Sequence, residues 1–169
     1  MERRRVREGG SLITRVLLLL VPLALGCKID TTRPPYGPID GATEIKIELK
    51  VSVATEILAD RLRADSIPVT RVEVRDGWME SPWFDATTRR PTTRRRLGPE
   101  VVRVRAWVDP LEVGHSRLTV ETLFRPLADP SLPDRELDRQ VPPDHPTAVR
   151  VDSVLQRMLR QYGDTAAER

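Results

Sequence analysis

This 169-residue chain has two histidines and one cysteine, and the spacing of the residues that could carry catalysis indicates no active site. Its two histidines, His115 and His145, form no His-x-x-x-His pattern, so the sequence predicts no metal site. Ser81 lies outside any nucleophile-elbow pattern, and the glycines form no phosphate-binding loop. We interpret Asp76 and Asp109 as turn residues that bond their own backbone rather than as a carboxylate pair. We therefore predict a protein that is not an enzyme and that uses no cofactor.

The arginine-rich segment at residues 85–98, called the arginine loop below, is the one feature that could bind a partner through charge. Its cations are Arg89, Arg90, Arg94, Arg95 and Arg96, and its only acid is Asp85. Guanidinium groups form bidentate hydrogen bonds with phosphates and carboxylates, so a lipid headgroup, a lipopolysaccharide phosphate or an acidic protein surface would suit this loop. The alternative is a solvated loop whose charges balance the acidic stretch at residues 129–138.

Three tryptophans, Trp78, Trp83 and Trp107, are further candidates for a binding surface. They could form a ligand-facing stripe on the open side of a sheet, or they could be buried for packing, as large aromatic side chains usually are.

Cys27 is the only cysteine of the chain, and the residues before it have the order of an export signal. Five arginines precede an apolar run at residues 16–25, which is too short to span a membrane. The sequence Ala24-Leu25-Gly26-Cys27 resembles the lipobox of bacterial lipoproteins. This resemblance implies cleavage after Gly26, a lipid on Cys27 and, because Lys28 follows, an outer membrane anchor facing the periplasm. The alternatives are an ordinary secretory signal with an incidental cysteine, or a short buried helix.

Removal of such a signal changes the charge of the chain. The whole sequence has 28 basic and 25 acidic residues, a net charge of +3. The first 26 residues hold five arginines and two glutamates, so the remainder has 23 residues of each sign. A neutral domain has no electrostatic footprint for nucleic acid, which we therefore exclude as a partner.

The chain is predicted to contain one domain behind a signal and a linker. Residues 1–26 are the signal, and residues 27–43 hold the lipidated cysteine and a linker rich in proline and glycine. If extended, that linker would reach about 50 Å. Residues 44–163 have the length of one small domain, and residues 164–169 are expected to be disordered.

Periodicity of apolar residues predicts the elements of this domain. Strands are expected at residues 45–51, 72–74, 78–84, 102–108 and 117–124, and helices at 53–65 and 151–162. Asp76-Gly77 is a hairpin signal, Ser52 is the expected cap of the first helix, and Thr147 or Asp144 that of the second. The proline-rich stretch 126–146 is predicted to lack regular structure. The order β-α-β-β-β-β-α predicts a two-layer α+β fold, an antiparallel sheet with two packing helices.

Three segments, VTRVEVRDGWMESPWFD, VVRVRAWVD and SRLTVETLF, resemble the helix-grip domains of a lipoprotein component of the bacterial outer-membrane β-barrel assembly machinery. The matching positions are Gly77, Trp78, Trp83, Arg103 and Arg105. The resemblance spans residues 45–162 and implies a non-enzymatic role in outer-membrane assembly or maintenance, as part of an envelope protein complex. The second expected function is binding of a small ligand or lipid in a cavity between sheet and helix.

Overall fold

The computed structural model describes residues 31–93 and 97–163, and the compact unit within them begins at Thr32. Its strands are β1 (Thr43–Ile47), β2 (Arg71–Glu73), β3 (Trp78–Glu80), β4 (Phe84–Asp85), β5 (Gly98–Pro110), β6 (Ser116–Arg125) and β7 (Arg139–Gln140). Its helices are α1 (Val51–Ala64), α2 (Asp134–Leu137) and α3 (Pro146–Tyr162).

The strands form one antiparallel sheet in the order β1-β6-β5-β3-β2, while β4 pairs with β5 and β7 with β6. The long hairpin of β5 and β6 is its centre, and β1 and β2 are its two ends. Helices α1 and α3 pack on one face of this sheet. The predicted two-layer α+β fold is therefore confirmed.

The core lies between the sheet and the two helices. Alternate residues of β5 and β6, such as Val104 and Leu118, face Leu58 of α1 and Leu155 and Met158 of α3, and all five are at most 1% exposed. Each fully buried side chain of this size stabilises the fold by about 1.5–3 kcal/mol relative to an exposed one. The apolar periodicity of the sequence identified most of this face, but Val53 of α1 and Leu159 of α3, predicted on the apolar faces, are 41% and 38% exposed.

The caps of the two main helices differ from the prediction. Helix α1 begins at Val51, so Ser52 lies inside it, and the capping position belongs to Lys50, whose side chain makes no capping hydrogen bond. Helix α3 is capped by His145, whose Nδ1 accepts a hydrogen bond from Thr147 N–H at 3.2 Å. Neither Thr147 nor Asp144 is the cap, because Pro146 has a fixed φ suited to the first helical position and places the cap directly before it.

The Asp76-Gly77 hairpin is confirmed, since β2 and β3 pair antiparallel across it. Gly77 has a φ of 62°, and a Cβ at this position would collide with the carbonyl oxygen of Val108. Only glycine fits both the left-handed backbone and this close approach to β5.

The predicted return strand is interrupted between β3 and β4, at Ser81–Trp83. Ser81 bridges the gap: its backbone N–H donates to Val104 O, and its hydroxyl accepts from Val104 N–H, both at 2.9 Å. The hydroxyl also donates to Pro82 O at 2.8 Å. The buried serine therefore has a structural role, in which it replaces the pairing that the proline interrupts.

The prediction that residues 126–146 lack regular structure is wrong. Helix α2 follows Pro133, and β7 pairs with β6 at Gln140 and Leu123. Leu137 and Val141 of this crossover are buried, and Val141 belongs to the core that also contains residues of α1 and α3. Periodicity could not predict these elements, because both are shorter than the window of residues in which it is detectable.

Candidate interaction surfaces

The sheet face opposite to the helices, called the outer face below, is largely covered by two irregular segments. Alternation of arginine and valine in β5 is typical of a strand with one solvent-exposed face, yet Arg105 and Trp107 are only 5% and 3% exposed. The covering segments are the crossover 126–142 and the residues 32–42 that precede β1, called the strap below. Both faces of the central hairpin are therefore buried.

The strap is fixed at its start by hydrogen bonds to the end of β5 and to the turn between β2 and β3. Arg33 donates to Asp109 Oδ1 at 2.6 Å and to Val108 O at 2.7 Å. Thr32 donates to Asp76 Oδ2 through its backbone N–H at 2.5 Å and through its hydroxyl at 2.7 Å. The prediction of Asp109 as a turn residue is wrong, because it lies within β5 and accepts from Arg33. Asp76 does lie in a turn, and its carboxylate also accepts from Thr32 of the strap.

Further along, the strap contacts charged side chains of the outer face. The guanidinium groups of Arg105 and Arg135 lie 5.4 and 4.8 Å from the centroid of the Tyr36 ring. Arg135 also donates to Gly37 O at 2.6 Å, and Ile39 N–H donates to Glu121 Oε2 at 2.9 Å. The expectation of an extended linker over residues 28–43 is thus wrong for residues 32–42, which belong to the domain.

Beneath the strap lies a network of ion pairs that contains two fully buried carboxylates. Glu121 accepts from Arg135 at 2.7 and 3.1 Å, and Asp138 accepts from Arg105 at 3.2 Å and from Arg125 at 2.8 Å. Because an unpaired charge in this position would cost several kcal/mol, about 3–5 on removal of one partner, each residue depends on the others. The network therefore holds sheet, strap and crossover in one arrangement.

The pKa values of two arginines reflect this network. Burial disfavours the charged form of Arg105, but the hydrogen bond to Glu80 and attraction to neighbouring carboxylates outweigh burial and raise its pKa. The pKa of Arg125 is raised in the same way, where hydrogen bonds to Asp138 and Asp134 outweigh burial. A raised pKa of a basic group contributes stability that is fully present below its ordinary pKa and is lost only as the pH rises through the raised pKa. Both arginines therefore remain charged at neutral pH.

The three tryptophans have packing roles. Trp78, Trp83 and Trp107 are 2–3% exposed. Trp83 lies between Arg103 and Arg125, at 4.8 and 5.0 Å, and Arg71 lies 4.6 Å over Trp78. The rings of Trp78 and Trp83 are thus engaged in cation–π contacts, and burial closes all three rings to a ligand.

Part of the arginine loop forms a tight turn. Asp85 Oδ1 accepts from the backbone of Thr87 and Thr88 at 3.0 and 2.7 Å, and Arg89 N–H donates to Asp85 O at 2.7 Å. Arg89 has a φ of 59°, a left-handed conformation that few residues other than glycine adopt. Arg90 follows as an exposed side chain, whereas Arg94, Arg95 and Arg96 lie outside the described residues.

Arg89 lines a surface depression of about 450 Å³, called the arginine depression below. Its other lining residues include Glu100, His145 and Arg150. Within the described ranges neither Arg89 nor Arg150 has an ion-pair partner. Helix α3 begins here, and the partial positive charge of its N-terminus adds to that of the two guanidinium groups.

Across residues 31–93 and 97–163, no three or more histidine, cysteine or acidic residues lie close enough together to hold a metal ion. Glu112 lies three residues before His115, but both are in the β5–β6 turn, where His115 Nδ1 lies 3.3 Å from Val113 O. His145 uses both ring nitrogens, one for the cap of α3 and Nε2 for a hydrogen bond to Pro99 O at 3.0 Å.

Comparisons with known proteins supply no name for these surfaces. A scan against protein-family models and a search of curated proteins return no match to this chain. Among the helices of the described residues, none is both long and apolar enough to cross a membrane. Cys27 and the lipobox lie outside the described residues, so lipidation stays a prediction.

Sequence reasoning missed the ion-pair network, although it left a signal. Glu121 stands inside the alternating strand β6, and its cross-strand neighbour in β5 is Arg105, which in turn is opposite Glu80 of β3. A ladder of alternating charge across three strands becomes visible once the hairpin register is known.

Proposed function

We propose that this protein is a lipid-anchored envelope protein whose α+β domain binds an acidic segment of another envelope protein without catalysis. The anchor rests on the lipobox, with the lipid on Cys27. The observation that carries the binding role is the arginine depression, where Arg89 and Arg150 lie without carboxylate partners among the described residues. Guanidinium groups without a carboxylate partner can bind a carboxylate of another molecule through bidentate hydrogen bonds.

The composition of the depression favours an acidic peptide over a lipid phosphate. Glu100 lines the same depression as the two arginines. Its carboxylate would repel a phosphate that carries up to two negative charges, whereas a single carboxylate could pair with one arginine and remain away from Glu100. A volume of about 450 Å³ holds a few side chains and not a whole domain surface.

The binding role is tested by crosslinking in cells with a photoreactive residue at Thr87, which is exposed and lines the depression. We expect a protein adduct that is lost in the double variant Arg89→Ala/Arg150→Ala. The matched control, Arg75→Ala/Arg160→Ala, removes the same charge from exposed positions elsewhere and should keep the adduct. Equal adducts in both double variants would refute the role of the depression.

Lipid binding is the outcome that would favour the second expected function. Native mass spectrometry of the purified chain would then show a retained lipid besides the anchor. Binding to vesicles with anionic lipid, lost in the Arg89→Ala/Arg150→Ala variant, would instead assign the depression to lipid headgroups.

The anchor is tested separately by fractionation of a Cys27→Ser variant. We expect this variant to leave the membrane fraction or to keep an uncut signal. If Cys27→Ser fractionates like the parent, with its signal removed, the proposed lipidation is wrong.

A further inference from the structure

We infer that two copies of this protein associate through the free edges of strand β1 in a twofold antiparallel pairing centred on Ile45. The inference rests on the direction of the backbone groups of β1, on the charges of its side chains and on the groove beside it. It is independent of the arginine depression, which lies on different elements.

Strand β1 is an end strand, and its backbone directions can be assigned. Among the described residues, β6 is its one strand partner, so its other edge has none there. Just beyond β1, Glu48 N–H donates to Tyr162 O of α3 at 2.7 Å, so Glu48 points away from β6. Because backbone groups alternate in direction along an antiparallel strand, those of Glu44 and Lys46 also point to the free edge.

These directions restrict the registers in which two β1 strands can pair. In a pairing centred on Ile45, Glu44 of one copy lies opposite Lys46 of the other, and both residues direct their N–H and C=O groups to the partner. A pairing centred on Glu44 or on Lys46 would place that residue opposite its own copy, with like charges directly across. The Ile45-centred register therefore combines matched hydrogen bonds with opposite charges.

Within one copy, Lys46 lies in an unfavourable electrostatic position. Its direct neighbour on β6 is Arg117, a residue of the same charge. Glu44 contacts Arg117 at 3.3 Å, and Lys46 has no ion pair within the described ranges. The Glu44 of a second copy would supply the missing carboxylate on the free side of Lys46.

A groove of about 650 Å³ runs beside β1 and leaves room for another strand. Its lining includes the β1 residues Glu44–Ile47, the turn residue Leu111 and Leu159 of α3. Leu111 and Leu159 are 37% and 38% exposed. Twofold pairing would cover these apolar side chains, and it places the helix layers of both copies on one side of a shared sheet.

The association is tested by charge exchange on the purified full chain in detergent, with mass measured by sedimentation. The parent should be a dimer. Glu44→Lys and Lys46→Glu should each raise the dissociation constant roughly tenfold or more, because each creates two like-charge pairs. The double variant Glu44→Lys/Lys46→Glu restores opposite charges and should dimerise like the parent. Both positions are exposed, so folding is checked by circular dichroism.

The register is tested by disulfide formation in a Cys27→Ser background. Directly opposed residues of a hydrogen-bonded pair are about 5.5 Å apart between Cα atoms, within disulfide range. A mixture of Glu44→Cys and Lys46→Cys chains should crosslink, whereas either chain alone, or a mixture with Lys50→Cys, should not.

A monomeric parent at about 100 μM, well above a micromolar dissociation constant, would overturn the inference and identify Lys46 as an edge-protecting charge. So would single variants that dimerise like the parent.

Discussion

Substitution of Glu121 should show most clearly whether the buried ion-pair network stabilises the fold. Its side chain is 0% exposed and joins three parts of the domain. It accepts from Arg135 of the crossover at 2.7 and 3.1 Å and from Ile39 N–H of the strap at 2.9 Å. Glu121→Ala removes all three hydrogen bonds and leaves a space in the outer face of β6.

The expected loss in the free energy of unfolding is about 3 kcal/mol, the lower end for removal of one partner of a buried pair. The lower end applies because Arg105 keeps Glu80 and Asp138, while Arg135 is 19% exposed and keeps Gly37 O as an acceptor. For a domain of this length, 3 kcal/mol corresponds to a decrease in melting temperature of about 10 °C. Glu121→Gln retains an acceptor for Ile39 and should lose roughly half as much.

Two measurements check this prediction. Denaturant unfolding gives the loss in free energy, with Asp60→Ala as the control, since its ion pair with Arg63 is exposed and is worth under about 1 kcal/mol. Cleavage by chymotrypsin after Tyr36 reports release of the strap and should accelerate several-fold in Glu121→Ala only. A loss below 1 kcal/mol, or unchanged cleavage, would show that Glu121 does not hold the strap.

Three further substitutions test the fold. Gly77→Ala should cost more than about 2 kcal/mol, because it combines a left-handed backbone with a collision, whereas Gly37→Ala should change stability by less than about 0.5 kcal/mol; equal effects would contradict the tight approach to β5. His145→Ala should cost about 1 kcal/mol through loss of the α3 cap, and His115→Ala close to nothing, as measured by thermal unfolding. Leu155→Ala should cost about 2–5 kcal/mol, and a cost below 1 would place Leu155 outside the core.

The elements of the helix-packed layer were predictable because each carries a local period. Leu58 and Leu155 fall on apolar stripes, and Val104 and Leu118 on alternating ones, so the sequence alone identified their buried faces. The outer face has no such signal. Its cover comes from segments rich in proline, and its interior consists of charged residues that resemble solvent-exposed ones until their partners are known.

The start of helix α1 and the site formed by the arginine loop could not be predicted from local sequence pattern either. Ser52 has a good capping side chain, but the chain enters the helix two residues earlier than the apolar stripe begins. Arg89 and Arg150 line the same depression although they are far apart in sequence, so no spacing rule could predict the site. Long-range pairs of this kind follow from topology and not from local pattern.

The strap determines how a pull on the N-terminal side would reach the domain. Five peptide steps separate Cys27 from Thr32, and they span at most about 18 Å. If Cys27 is held in a membrane, a pulling force would act first on Thr32 and Arg33, whose hydrogen bonds reach the turn at Asp76 and Asp109 of β5. These hydrogen bonds would have to break one after another before any force acted on β1. The strap would then detach before the sheet unfolds, and its release would lengthen the tether by residues 32–42.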